Sequence, residues 1–143
     1  MENEQLLTLM QTRRSIRSYK PDMIPKETLD RIIAAGTYAA TGMNRQSPAE
    51  NDPFYGAPVV LIVLADKSIP TRVYDGSLVM GNLMLAAHAL GIGSCWIHRA
   101  KEEFERPEGQ KILKSLGIEG EYEGIGHCIL GYPDGEYPKP APR

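Results

Sequence analysis

At 143 residues, with 42% hydrophobic and 24% charged side chains, the chain has the length and balance of one folded domain, not of a disordered or membrane-embedded polypeptide. A formal charge of -2 leaves no broad basic field for nucleic acid, no apolar run reaches bilayer length, and the acidic start Met1-Glu2-Asn3-Glu4 is unlike a secretory leader, so a cytoplasmic protein is expected. The two cysteines, Cys95 and Cys128, lie in apolar stretches without CxxC spacing, which argues against a disulfide framework or a zinc site.

Residues 3 to 11 place Leu6, Leu7, Leu9 and Met10 at helix-compatible positions, with Asn3 as a candidate cap. This helix delivers the chain into the basic segment Arg13-Arg14-Ser15-Ile16-Arg17. Pro25 and Glu27 open a second helix carrying Leu29, Ile32 and Ile33, which fades at Ala39-Ala40. Thr41 to Pro48 is rich in turn formers and reads as a loop. Pro58 to Ala65 is a continuous aliphatic run and is expected to be the central strand, covered on both faces. From Asp75 to Leu90 apolar residues recur at helical spacing almost all the way round, so this helix should be buried in the domain or against a second subunit. Gly93 to Ile97 follows as a short strand, Pro107 to Leu116 as a surface helix, and Gly124 to Tyr132 as a last strand before a Pro-rich tail. The alternation of helices and strands, with no internal repeat, gives an α+β domain built on a mixed sheet.

Arg13, Ser15 and Arg17 are spaced by two, so an extended segment turns all three to one face. Two guanidiniums flanking a hydroxyl suit an oxyanion, because arginine presents a planar fork of donors to phosphate. On spacing alone, a solvated basic turn after a helix fits equally well. His88 and His127 have no partners at ligand spacing, and no metal site is expected.

The basic segment, followed in order by Thr41-Gly42-Met43-Asn44-Arg45-Gln46, by Gly56-Ala57-Pro58 before the aliphatic run, by the long helix with Gly91-Ile92-Gly93-Ser94-Cys95-Trp96-Ile97, and by Leu130-Gly131-Tyr132-Pro133, resembles the nitroreductase family of FMN enzymes over nearly the whole chain. The resemblance implies a mixed, mainly antiparallel sheet flanked by helices, in a homodimer with the flavin site at the subunit interface. It implies an oxidoreductase that takes electrons from NADH or NADPH and passes them to a nitroaromatic, quinone or activated alkene in two alternating half-reactions. The flavin carries that chemistry, so no side chain is expected to be catalytic in its own right.

By the same resemblance, Arg13 and Ser15 hold the phosphate and ribityl end, and Arg17 lies nearer the pyrimidine, where reduction places negative charge. Arg14 alternates to the other face and joins the site only if the segment departs from an ideal strand. Thr41, Gly42, Met43, Asn44 and Gln46 correspond to the family's loop that reaches the flavin from the second subunit. Trp96, Ile97 and His98 fall at the strand end beside the flavin ring, although a lone tryptophan among apolar residues is also simple core. Arg143, with Lys139 as a lesser candidate, falls where a C-terminal cation completes the phosphate site.

Two departures stand out. Only nine residues, Ser47 to Tyr55, separate Gln46 from Gly56, where the family carries a further strand and helix, and the chain ends before the C-terminal arm of relatives. The first gap motivates an alternative, a flavin- or ligand-binding relative without turnover. Arg13 to Arg17 with Tyr19 and Lys20 as a nucleic-acid patch is a weaker alternative, disfavoured by net charge.

Overall fold

The computed structural model describes residues 3–37, 45–47 and 54–139. Five helices and four strands follow one another in these stretches: α1 (Asn3–Thr12), α2 (Lys26–Thr37), β1 (Arg45–Ser47), β2 (Val59–Asp66), α3 (Arg72–Ala89), β3 (Gly93–Ile97), α4 (Ala100–Glu105), α5 (Pro107–Ser115) and β4 (Tyr122–Gly131). The strands form one sheet in the order β1-β2-β4-β3, each neighbouring pair antiparallel. A single parallel bridge, Ser15 to Ser94, adds the basic segment to the edge at β3 and makes the sheet mixed.

Period-two alternation along β2 feeds two cores. Val63 and Ala65 pack with Cys128 and Leu130 beneath α3, where Val79, Met80, Leu83 and Ala87 are buried and Ile32 of α2 closes the layer. Ile62 and Leu64 face the other way, onto Ala100 and Phe104 of α4 and Leu113 of α5. The aliphatic run is interior, as expected, but it shares the centre of the sheet with β4, which is buried along its whole length and paired on both sides.

Four local differences from the sequence-based expectations have physical causes. Arg45–Ser47, expected as loop, is held as β1 by pairing with Leu64 to Ile62. The long helix begins at Arg72 rather than Asp75, because the Asp75 N–H already donates to the Thr71 carbonyl at 2.9 Å and closes a first turn ahead of it. The last strand begins at Tyr122 rather than Gly124, extended by pairing of Asp66 with Tyr122 and Ala65 with Glu123. The six-residue α4 has no counterpart among the expected elements; Ala100 and Phe104 are its buried residues, so packing on the sheet holds it.

The nearly all-round apolar character of α3 resolves into an inner and an outer side. Its inner side meets the sheet, while Val73, Tyr74 and Leu78 remain exposed, as do Leu6, Leu7 and Met10 of α1. Among the described residues, no helix is long and apolar enough to cross a membrane.

Candidate functional site

The basic segment is pinned to the sheet by its middle residue. The Ile16 N–H donates to the Ser94 carbonyl at 2.9 Å, and the Ile16 side chain is buried against Gly93. A Cβ on Gly93 would lie 3.0 Å from Ile16 Cγ1, so the glycine permits this close approach. Gly131 does the same one strand over, where a Cβ would come within 2.6 Å of Tyr19 Cδ1. Tyr19 is further fixed by donating its hydroxyl to the Ile16 carbonyl at 2.7 Å.

With Ile16 turned inward, its neighbours face outward. Arg17 is exposed and Ser15 half-buried. Among the described residues, neither the Ser15 hydroxyl nor the Arg17 guanidinium has a hydrogen-bond partner. Arg13 is half-buried and directs Nη1 toward Met84 Sδ of α3 at 4.0 Å, a weak contact that leaves its other donors available. Arg14 behaves differently. Its Nη1 donates to the Gln11 carbonyl at 2.8 Å and the Arg13 carbonyl at 2.6 Å, covering the open C-terminal end of α1, while its Nε is buried without a partner.

Trp96 packs against the core beneath α3, so core packing accounts for much of this side chain, and its indole N–H is buried without a partner. His98 is exposed and stacks on it, with ring centroids 5.0 Å apart and planes 20° from parallel. Ile97 points to the opposite face and borders a cavity of about 360 Å³ that also touches Phe54, Arg99, Glu103 and Arg106. Gln46 lies in β1, its backbone opposite Val63. Thr41, Gly42, Met43, Asn44 and Arg143 lie outside the described residues. Lys139 is exposed.

Two histidines to which the sequence assigns no role have defined surroundings. His127 is fully buried, opposite Ile62 in the sheet, between the rings of Phe54 and Phe104. Burial lowers its pKa to about 4, so at neutral pH the uncharged ring donates Nε2–H to Glu103 at 2.8 Å. Burial raises Glu103 in turn. His88, in the last turn of α3, lies between Thr12 and Tyr137. Contacts between residues so distant in sequence leave no local pattern by which to find them. Among the described residues, no cluster of side chains is suited to hold a metal ion.

The nitroreductase family model matches residues 10–49 and 47–132. The chain belongs to the nitroreductase family. It is 32% identical to a protein of Methanothermobacter thermautotrophicus described as "Putative NADH dehydrogenase/NAD(P)H nitroreductase", over 90% of this chain and 77% of that one. A protein of Archaeoglobus fulgidus with the same description is 30% identical, over 93% and 88% of the two chains. The fold matches a Bacteroides fragilis nitroreductase crystallised with bound FMN, with a TM-score of 0.85, 25% identity, and 97% of this chain and 94% of that one covered. A Desulfitobacterium hafniense nitroreductase structure, at 23% identity and a TM-score of 0.85 over 100% and 96% of the chains, has the same fold. The expected family and its α+β fold, an antiparallel sheet between helices, are thereby established, and the chain is a nitroreductase-like oxidoreductase.

Proposed function

We propose that the protein is an FMN-dependent oxidoreductase that passes electrons from NADH or NADPH to a small organic acceptor of the nitroaromatic, quinone or activated-alkene class. The observation that carries this reading is the unsatisfied donor set at Ser15 and Arg17, on a backbone that Ile16 and Tyr19 hold rigid against the sheet. Such donors fit a phosphate, which needs several hydrogen bonds and positive charge at once. When bound, FMN would supply the two-electron redox chemistry between nicotinamide and acceptor.

The work of the chain is then to bind, orient and polarise. Arg13 and Ser15 hold the phosphate and ribityl end. Arg17, exposed at the surface, would lend positive charge near the pyrimidine, where reduction places negative charge. Arg14 serves this site indirectly, because its guanidinium is occupied at the end of α1. The Trp96-Ile97-His98 strand end walls the ring. Thr41, Gly42, Met43, Asn44 and Gln46 would reach it from a second copy, the side-chain amides of Asn44 and Gln46 matching the mixed donors and acceptors of a flavin edge. The exposed apolar residues on α1 and α3 support such a homodimer. Arg143 and Lys139 add cations at the phosphate. A cytoplasmic setting fits the need for reduced nicotinamide, and neither nucleic acid nor membrane enters this function.

An anaerobic absorbance spectrum of the protein reconstituted with FMN, before and after NADH or NADPH, tests the reading. Retained flavin whose visible band bleaches within the mixing time is the expected result. Loss of the flavin on desalting overturns the binding site. Retention without bleaching by either nicotinamide would instead assign a flavin-binding relative without turnover.

A further inference from the structure

The stretch that follows β4 turns back along the basic segment. Lys20 donates its N–H to the Tyr132 carbonyl at 3.0 Å, Asp134 donates to the Ser18 carbonyl at 3.0 Å, and the Arg14 N–H donates to the Tyr137 hydroxyl oxygen at 3.2 Å. Residues 132 to 137 therefore run antiparallel to residues 14 to 20 and cover the segment from end to end.

Tyr137 is itself fastened to α3 through a chain of hydrogen bonds. The Thr8 carbonyl can only accept, so the Thr12 hydroxyl donates to it, at 2.7 Å. The Thr12 oxygen then accepts Nε2–H of His88 at 3.0 Å, which leaves Nδ1 to accept the Tyr137 hydroxyl proton at 3.2 Å. At the far end, the backbone N–H of Arg14 can only donate, and the Tyr137 oxygen takes it. With the ring neutral, the Thr8 carbonyl at one end of the chain leaves His88 as the Nε2–H tautomer. Burial, with the charges of Arg13 and Arg14 nearby, lowers the His88 pKa and keeps the ring in that form. The His88 and Tyr137 rings, 5.9 Å apart at 30°, brace the contact.

We propose that His88 and Tyr137 are positioning residues of the phosphate clamp, fastening the chain after β4 as a strap that holds Arg13 to Arg17 in phosphate-binding form. The inference rests on the flavin reading above.

The test compares the full-length chain with Tyr137→Phe, His88→Phe and the double variant, titrating each with FMN and with riboflavin, which lacks the phosphate. Each single variant should weaken FMN binding about fivefold, since each breaks the chain at the His88 to Tyr137 contact, and the double variant no further, because both break that same link. Riboflavin affinity should not change. Amide exchange at Arg14 should quicken in Tyr137→Phe while the β4 amides keep their protection. Unchanged FMN affinity and unchanged Arg14 exchange in Tyr137→Phe would overturn the strap, and equal weakening of both flavins would reduce it to general scaffolding. If the wild type bound FMN no better than riboflavin, the phosphate clamp itself would fall, before any variant was compared.

Discussion

Two regions of the molecule carry clustered arginine or lysine, and they use their charge in opposite ways. At the junction of α3, α4 and β4, Arg72 donates Nε to Glu123 Oε2 at 2.6 Å, Lys101 approaches Oε1 at 3.6 Å, and Arg72 Nη1 also donates to the Ile69 carbonyl. Glu123 is 8% exposed, and each of its oxygens has its own cation. At the edge of β3, Ser15 and Arg17 have no such partner among the described residues. Both regions are basic, and only one keeps donors free. What separates the edge from the brace at Glu123 is hydrogen-bonding capacity left unused among the described residues, not positive charge.

The comparison is sharpened most by emptying the edge. Replacing both Arg13 and Arg17 with Ala should lower FMN affinity roughly a hundredfold, because two charge-assisted hydrogen bonds together contribute about 3 kcal/mol or more. The urea midpoint should barely move, since neither guanidinium pairs with another charge among the described residues. A large loss of stability with little loss of FMN binding would reverse the assignment of the two regions.

At the brace the same logic predicts the opposite pattern. Glu123→Gln should cost about 2 kcal/mol of folding stability at pH 7, by leaving two cations facing a neutral amide, with FMN affinity unchanged. Hydrogen bonding from Arg72 holds the Glu123 pKa below its ordinary value. A depressed carboxylate pKa contributes stability that is complete above the unfolded value of 4.5 and is lost as pH falls through the folded value. Urea unfolding across that range should therefore show an acid-side loss in the wild type that is smaller in the variant.

The smallest effect belongs to the residue between the two behaviours. Arg14→Ala should cost about 0.5 kcal/mol, the worth of a cation at a helix C-terminus, and leave FMN affinity in place. A drop in affinity matching that of Arg17→Ala would place Arg14 among the free donors and remove it from the end of α1.

How much of this is legible in the chain depends on the range of the forces involved. The aliphatic run at β2 and the periodic face of α3 are local patterns, and both elements form there, the helix with an earlier start than its pattern marks. The order of the motifs along the chain carries the family. The position of α4 is not legible, because a helix with two buried residues has no periodicity to detect and depends on the sheet beneath it. Nor is the fate of Arg14, which alternates correctly yet folds back on the preceding helix. The His88 to Tyr137 contact joins residues 49 apart, so the topology creates it and no spacing foretells it.

The position of Trp96 has a practical consequence. It is the only tryptophan in the chain, its indole lies against the backbone at Gly126, and it is two residues beyond Ser94, which holds the basic segment in place. Ultraviolet-excited emission from the native protein at the red edge of absorption therefore comes from one known place. Changes in that light on adding a ligand are reported from the end of β3, without a label or an engineered probe.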